Sequence, residues 1–434
     1  MMDPISVGVL GTIVLFVLLF LGMPIAFAMM LVGVGGIAYL TSFQAALPVL
    51  ASTVYEVSAF YPYMVIPLFI VMGGFAGSSG MTRDLYSAFE KWLRKMPGGL
   101  SIATIGACGG FAAVSGSSVA TAAAMGTVAY PEMERYGYDP KLSTGSIAAG
   151  GTLGFLIPPS IGFIVYGMLT EQSIGKLLIA GIIPGVMLTF AYILVVAGLV
   201  RFRPKLAPSR PDGAGWKEKC LALYGVWEPL AVFIVVIGGI YSGFFTPTEA
   251  GAVGATILFL VALIKRKLGK TELFTALYNT MRISVMVLLL VAGANVFSYF
   301  LALTTIPMRA ASWAAGLQTS PFMILGIFIL MYLVLGCFLD AISMMVLTMP
   351  VIYPVILELG FHPIWFGVIA VLMMEAGLIT PPMGLNIFTV AGVASDVPVD
   401  TIFRGVLPFL LSIFLVVVLI VVFPSLVLFL PGAM

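Results

Sequence analysis

The sequence has 434 residues, of which 61% are hydrophobic and 9% are charged, and its mean hydropathy is +1.16. A soluble domain carries about 25% charged residues, so this composition excludes a water-soluble enzyme and indicates a polytopic membrane protein. The 20 basic residues nearly balance the 18 acidic ones, and a net charge of +2 argues against a nucleic-acid-binding protein. Cys108, Cys220 and Cys337 lack the spacing of a disulfide framework or a metal site.

Hydrophobic segments cover most of the chain, and the residues before the first one include no Lys or Arg, so we expect a retained span rather than a cleaved signal peptide. Ten of the segments suit a bilayer crossing, which needs roughly 20 apolar residues. In chain order the segments are 5–21, 24–40, 60–81, 99–130, 141–168, 173–200, 226–243, 247–264, 283–303, 321–353, 363–392 and 405–430.

Two segments, 99–130 and 321–353, are too long for a single crossing. As helices they would each measure about 48 Å, whereas the hydrocarbon core is roughly 30 Å thick. Ser-Gly-Ser-Ser at 115–118 interrupts the first segment, and Gly-Cys-Phe-Leu-Asp at 336–340 interrupts the second. We therefore expect two re-entrant hairpins with their tips near the membrane midplane, where irregular backbone must be covered by protein or line a cavity.

Basic residues orient the spans. If the linker at 201–224 is cytoplasmic, ten crossings place 18 of the 20 basic residues on that side, including Arg210 in the linker, and leave only Lys176 and Arg309 outside. Both termini then lie on the outer side.

An internal repeat relates the two parts of the chain. Pro131, Gly154 and Pro158 recur 223 positions later as Pro354, Gly377 and Pro381, and other Gly and Pro residues follow the same offset. The first half is 1–200, the second is 225–434, and each holds about five crossings and one hairpin. Because five is odd, the second half enters from the opposite side. The predicted fold is thus an all-α polytopic membrane protein with two inverted-topology repeats, whose broken helices are 141–168 and 363–392.

The interruptions suggest an ion site. We expect the tip at 115–119 to face the Pro158 break and the tip at 336–344 to face the Thr380–Pro381 break. A proline disrupts the preceding helical turn and frees its carbonyl groups, with Pro159 and Pro382 supporting the two breaks. Carbonyl, Ser and Thr oxygens suit Na⁺, whereas the N-terminal ends of the half-helices favour a substrate anion.

Two acidic residues lie beside these breaks. Asp340, at the second tip, either coordinates the cation or caps the returning helix. Glu375, six residues before Pro381, either orients that break or forms a buried structural hydrogen bond.

Several polar side chains are candidates for contact with a carboxylate- or hydroxyl-bearing substrate, although hydrogen bonding between helices is the commoner use of Ser and Asn in membranes. The candidates are Ser78, Ser79, Ser118, Asn295, Ser298, Asn386 and Thr389. No Walker A sequence, nucleophile elbow or HExxH motif accompanies them, so we expect a transport protein rather than an enzyme, with no covalent cofactor and no metal other than Na⁺.

Three stretches carry a family resemblance: GFAAVSGSSVATAAAMG at 110–126, PEMERYGY at 131–138 and AAGGTLGFLIPPS at 148–160. They resemble the large membrane subunit of tripartite ATP-independent periplasmic (TRAP) transporters, and the likeness extends over essentially the whole chain. The resemblance implies Na⁺-coupled uptake of an organic acid such as a dicarboxylate or sialic acid by an elevator movement. It also implies a bacterial or archaeal inner membrane, a periplasmic substrate-binding (P) protein and a small membrane (Q) subunit, here a separate chain.

The resemblance also implies two Na⁺ sites, one at Gly116, Val119 and the Pro158 break, and a second around Gly336 to Met344 and the Pro381 break. Pattern and resemblance together predict these cation-binding residues: Ser115, Gly116, Ser117, Val119, Pro158, Gly336, Asp340, Met344, Thr380 and Pro381. Two alternatives remain at this point. One is a stand-alone Na⁺- or H⁺-coupled anion transporter of the related hairpin and inverted-repeat class that needs no binding protein, and the other is a channel or membrane scaffold.

Overall fold

A computed structural model describes residues 2–208, 215–317 and 319–434. The predicted linker residue Arg210 lies outside these described residues. Across the described ranges the chain is α-helical and contains no strand, so the predicted all-α class is confirmed.

The first half ends where the described part of the linker begins. A 3₁₀ turn, Tyr61–Met64, precedes α4, and another, Pro204–Leu206, follows α11. Its helices are α1 (Pro4–Phe20), α2 (Ile25–Leu40), α3 (Phe43–Ala59), α4 (Val65–Ser78), α5 (Met81–Leu93), α6 (Gly99–Ser115), α7 (Ser118–Arg135), α8 (Pro140–Leu156), α9 (Ile161–Thr170), α10 (Ile174–Ala180) and α11 (Ile182–Phe202).

The second half begins after a short helix in the linker and a 3₁₀ turn at Leu223–Gly225. Its helices, with the linker helix first, are α12 (Trp216–Ala222), α13 (Trp227–Tyr241), α14 (Pro247–Ile264), α15 (Lys270–Thr304), α16 (Ile306–Gly316), α17 (Pro321–Gly336), α18 (Ala341–Glu358), α19 (Pro363–Leu378), α20 (Leu385–Val393), α21 (Val399–Val422) and α22 (Ser425–Gly432).

Among the described residues, six helical stretches are long and apolar enough to cross a membrane, and two bent helix pairs raise the number to eight. One bent pair is α8 with α9, which meet at 41° across the predicted Pro158 break. Helices α1 and α2 are apolar but have only 17 and 16 residues. The six to eight stretches indicate a multi-pass protein, while the count of ten crossings stays a prediction. Helix α18, predicted as one arm of a hairpin, is itself long enough to qualify as a span.

Two helical regions differ from the predicted segments. Residues 43–59 form α3, although no hydrophobic segment covered them. Helix α15 begins at Lys270, whereas the predicted segment began at 283. Both regions carry polar residues on exposed positions, so a hydropathy criterion that looks for lipid-buried runs passes over them even though the backbone is helical.

The two halves share their helix order. Helix α8 starts at Pro140 and α19 at Pro363, an offset of 223, and the helices end just before Pro158–Pro159 and Pro381–Pro382. Helix α2 of the first half packs against α15 of the second, and α14 of the second packs against α4 of the first. Each pair joins one helix of the first half to one of the second, and exchanging the two halves turns one pair into the other. A two-fold relation between the halves produces this pattern. The opposite orientation of the halves in the membrane stays a prediction.

The two predicted broken helices form the centre of the molecule. Every residue of α8 from Leu142 to Leu156 is buried, and so is every residue of α19 from Ile364 to Leu378. The two helices pack against each other, α6 and α7 pack against α8, and α17 and α18 pack against α19. Both predicted hairpins therefore lie beside the central helices.

Candidate functional site

The first predicted interruption lies where α6 gives way to α7. Gly116 ends α6 with a φ of +65°, a conformation that glycine adopts without steric cost. Ser117 then caps α7, its hydroxyl oxygen accepting from the Ala120 amide at 3.4 Å. The tip is therefore short, and the N-terminus of α7 begins directly behind it.

This tip contacts the first proline break as predicted. The Gly116 carbonyl accepts from the Ile161 amide, which follows the break, at 3.4 Å. A Cβ on Gly116 would lie 2.7 Å from the Pro159 carbonyl oxygen. One turn earlier in α8, a Cβ on Gly154 would lie 2.5 Å from the Ser117 carbonyl oxygen. Close approach of the tip and the broken helix thus depends on two glycines.

The second interruption separates α17 from α18. Asp340 caps α18, its Oδ2 accepting from the Ser343 amide at 3.1 Å, so the capping alternative for this residue is observed. A Cβ on Gly336 would lie 2.6 Å from the Cα of Gly377 in α19 and 3.3 Å from the end of the buried Met344 side chain. The second tip therefore meets its broken helix three residues before Thr380.

Both tips open onto one cavity of about 700 Å³. Residues that follow or flank the two breaks, Ile161, Leu378 and Leu385, also line it, and so does the C-terminal half of α4. The two tips and residues that flank the two breaks thus share one cavity, whereas the break residues themselves do not line it. Six predicted site residues line the cavity: Ser78, Ser115, Ser117, Ser118, Val119 and Asp340.

The remaining predicted cation ligands are not part of the cavity lining. Pro158 and Pro159 are buried, whereas Pro381 and Pro382 are exposed, so the two breaks differ in their surroundings. The residues of the predicted set outside the lining are Gly116, Pro158, Gly336, Met344, Thr380 and Pro381.

The other predicted substrate contacts are turned away from the cavity. Ser79 donates to the Ala76 carbonyl at 2.7 Å, and Thr389 donates to the Leu385 carbonyl at 2.9 Å. Asn386 is fully buried, and its amide donates weakly to the Ala148 carbonyl at 3.5 Å. Neither Asn295 nor Ser298 is part of the cavity lining.

Helix α15 supplies polar lining that the sequence analysis missed. Thr275, Asn279 and Thr280 line the cavity, and Thr280 donates to the Ala276 carbonyl at 2.8 Å. Asn279 is exposed. The spacing of 275, 279 and 283 follows one helical face, which is the signal that could have found them once the helix was extended back to Lys270.

Hydrogen bonding decides what each cavity hydroxyl can offer a ligand. Ser78 donates to the Gly74 carbonyl at 3.0 Å, and Ser118 donates to Glu375 Oε1 at 2.6 Å. Ser115 shares a 2.7 Å bond with Thr121. The Ser117 hydroxyl only accepts a bond within the described residues, so its proton remains available to a ligand.

The charge pattern of the cavity combines one acid with two helix ends. Asp340 is the one carboxylate among the described lining residues, which include no Lys, Arg or His. The first residues of α7 (Ser118) and α18 (Ala341) both line the cavity, so two positive helix ends face it. Such an arrangement accommodates an anion at the helix ends and a cation near Asp340.

A multi-pass helical fold whose interrupted helices meet at a largely apolar cavity that holds one carboxylate and several hydroxyl groups defines a membrane transport protein. Residues 12–426 match the family model described as the tripartite ATP-independent periplasmic transporter, DctM component. The chain belongs to this family of TRAP large permease subunits, and the predicted resemblance is confirmed.

Relatives at similar identity carry different substrates in their names. The chain is 37% identical to the C4-dicarboxylate TRAP transporter large permease protein DctM of Pseudomonas aeruginosa, covering 88% of this chain and 89% of that one. It is 31% identical to the sialic acid TRAP transporter permease protein SiaT of Haemophilus influenzae, over 98% and 68%. It is 34% identical to the isethionate TRAP transporter permease protein DctMQ of Oleidesulfovibrio alaskensis, over 99% and 67%. All three are named as permeases, so the chain is a transporter subunit and not an enzyme.

One solved structure has a similar fold. The crystal structure of the Alcanivorax borkumensis YdaH transporter aligns with a TM-score of 0.64 over 88% of this chain and 89% of that one. Sequence identity is 16%, so the likeness concerns the fold alone.

Proposed function

We propose that this chain is the large permease subunit of a Na⁺-coupled importer of a small organic acid, such as a dicarboxylate or a sialic acid. The observation that carries the proposal is the single cavity into which both tips, two helix N-termini and Asp340 project. A carboxylate at the helix ends and a cation near Asp340 would partly neutralise each other. Binding of either ion then favours binding of the other, which is the basis of symport.

Within this proposal Ser117 contacts the substrate. Its hydroxyl proton is uncommitted, and it stands at the N-terminus of α7, where a carboxylate is favoured. The cation is held by the oxygens around the two tips. Freed carbonyl groups and Asp340 are hard ligands of the type that Na⁺ prefers.

We infer that the cavity opens toward the cytoplasm and that transport uses an elevator movement of the hairpins and broken helices. Gly77 and Ser78 line the cavity shortly before α5, which carries Arg83 and Lys91, and Thr275 lines it five residues after Lys270. Basic loops face the cytoplasm. An elevator is supported by the way both hairpins pack on the central helices α8 and α19 as one body.

The proposed partners are a periplasmic substrate-binding protein and a small membrane subunit that is a separate chain, in a bacterial or archaeal inner membrane. The word tripartite in the family name supports the two partners. The DctMQ relative, of which the chain covers 67%, is named as one permease protein and leaves length for a small subunit, so the separate chain is part of the proposal alone. A stand-alone Na⁺- or H⁺-coupled anion transporter is the alternative.

Uptake by proteoliposomes tests the proposal. The chain is reconstituted with the small subunit, and accumulation of a panel of organic acids is followed with and without an inward Na⁺ gradient and with and without the binding protein. We expect accumulation only with the gradient and the binding protein. Uptake without the binding protein would favour the stand-alone alternative, and conductance without saturable accumulation would indicate a channel.

A substitution locates the substrate in the same assay. Ser117→Ala removes one hydrogen bond to a charged group, so we expect the KM for the acid to rise about tenfold. Ser52→Ala is the matched control, because Ser52 is exposed on α3 and bonds only the Val49 carbonyl at 3.3 Å. Equal KM values for both variants would remove Ser117 from the substrate site.

A further inference from the structure

A buried hydrogen bond joins the two halves of the protein directly beneath the cavity. Ser118 Oγ, at the start of α7, donates to Glu375 Oε1 in α19 at 2.6 Å, across 257 positions in sequence. Glu375 is fully buried, while Ser118 is 3% exposed and lines the cavity.

The bond sets the chemical character of Ser118. A serine hydroxyl has one proton and two lone pairs. Because the proton is donated to Glu375, the side of the oxygen that faces the cavity can only accept a hydrogen bond or coordinate a cation. Ser117, one residue earlier, has the opposite character because its proton is free. Adjacent serines of one tip thus present a donor and an acceptor to the same space.

Stability alone does not explain Glu375. Its second oxygen, Oε2, has no hydrogen-bond partner among the described residues. A buried carboxyl group held by one hydroxyl costs free energy, and an apolar side chain of similar volume at such a place is often neutral or stabilising. A residue that is costly to bury but touches a cavity residue is typical of a functional position.

We propose that Glu375 is a positioning residue for the coupling cation: by accepting the hydrogen bond of the Ser118 hydroxyl it fixes Ser118 Oγ as an acceptor at the cavity wall. Ser118 Oγ then coordinates the cation, and Ser117 donates a hydrogen bond to the substrate carboxylate. The inference rests on the proposed Na⁺-coupled function and assigns the two serines of one tip to different ligands.

Three variants test the proposed role of Glu375. Glu375→Gln keeps an acceptor for Ser118, whereas Glu375→Met keeps the volume and removes the acceptor, and Ser118→Ala removes the oxygen itself. Each is reconstituted with its partners, and three quantities are measured: the Na⁺ concentration for half-maximal uptake, the substrate KM at saturating Na⁺, and the Tm of the purified protein.

We expect Glu375→Met and Ser118→Ala each to raise the half-maximal Na⁺ concentration about tenfold, because the first no longer orients one oxygen ligand of the cation and the second removes it. A fourth protein that combines Glu375→Met with Ser118→Ala is expected to match the single variants, because both substitutions act on the same oxygen ligand. Glu375→Gln is expected to stay close to wild type. Substrate KM at saturating Na⁺ is expected to be unchanged, and the Tm of Glu375→Met to equal or exceed that of wild type.

Other patterns overturn the inference. A Glu375→Met protein that loses thermal stability and all transport together would show a structural role. A rise in substrate KM at saturating Na⁺ for Ser118→Ala would place this serine with the substrate instead. Wild-type uptake that ignores Na⁺ would overturn the proposed function as well, whereas Na⁺-dependent wild-type uptake with unaltered variants would overturn only the role of Glu375.

Discussion

The Cα atom of Gly377 lies 2.6 Å from the position that a Cβ on Gly336 would occupy, and the reverse distance is 2.5 Å. The second hairpin tip and its broken helix therefore meet backbone to backbone. In the first half the corresponding contact involves different atoms, because Gly154 of α8 faces the Ser117 carbonyl. Both contacts stand next to the cavity, so the spacing of tip and helix sets the geometry of the site.

Gly336→Ala is expected to destabilise the protein by about 1–3 kcal/mol, because the added methyl group meets rigid backbone and forces α17 and α19 apart. The measurement is the Tm of the purified protein in detergent. Gly326→Ala is the control, since a Cβ at Gly326 of the same helix meets nothing within 4 Å. Equal Tm values for the two variants would show that the contact tolerates a side chain.

Asp340→Asn separates the two roles considered for this residue. Asparagine caps a helix about as well as aspartate, so α18 is expected to keep its start, while the negative charge at the cavity is lost. We expect the apparent affinity for Na⁺ to fall about tenfold, with Tm and assembly with the small subunit unchanged. Asp340→Ala is expected to lose the cap as well, at about 1 kcal/mol. If Asp340→Asn transports with wild-type Na⁺ dependence, capping is the whole role.

Lys265→Met is expected to destabilise the protein by about 2 kcal/mol. Lys265 Nζ lies 2.7 Å from Glu228 Oε2 and 2.9 Å from Asp84 Oδ2, which joins the ends of α13, α14 and α5. The substitution leaves the buried carboxylate of Glu228 without this cation. Lys270→Met, at an exposed position, is the control, and thermal unfolding measures both. Equal Tm values for the two variants would show that the ion pairs of Lys265 do not contribute to stability.

The stabilisation by the ion pairs of Lys265 has a defined pH dependence. Burial by itself lowers the pKa of Lys265, but the hydrogen bonds and charges of Glu228 and Asp84 outweigh it, and the pKa is raised from 10.5. The stabilisation is complete below the unfolded pKa and is lost only as the pH rises through the folded one. The Tm difference between wild type and Lys265→Met is therefore expected to be equal at about pH 6 and about pH 9. A difference that shrinks within that interval would contradict this.

Cys220 reports the orientation of the linker without an introduced residue. It is exposed on α12, whereas Cys108 and Cys337 are buried. A membrane-impermeant maleimide is expected to label the native protein in inside-out vesicles and not in right-side-out ones, because the basic linker is predicted to face the cytoplasm. Cys220→Ser is expected to abolish the labelling. Labelling from the outer side would reverse the predicted topology.

The sequence by itself determined the class of protein, the two interruptions and the two proline breaks. Hydropathy reports lipid burial directly, and Gly116, Pro158 and Pro381 act on their own backbone, so their effects are local and readable along the chain. The capping role of Asp340 is local in the same way.

Only the tertiary structure decided which polar side chains share the cavity. Ser118 lines it, whereas Asn386 does not, and Thr275 and Asn279 join from a helix that hydropathy had shortened. Each residue turns a helix by about 100°, so the direction of a side chain depends on how its helix is rotated against its neighbours. The pairing of Ser118 with Glu375 across 257 positions arises from that packing, which no local pattern in the sequence encodes.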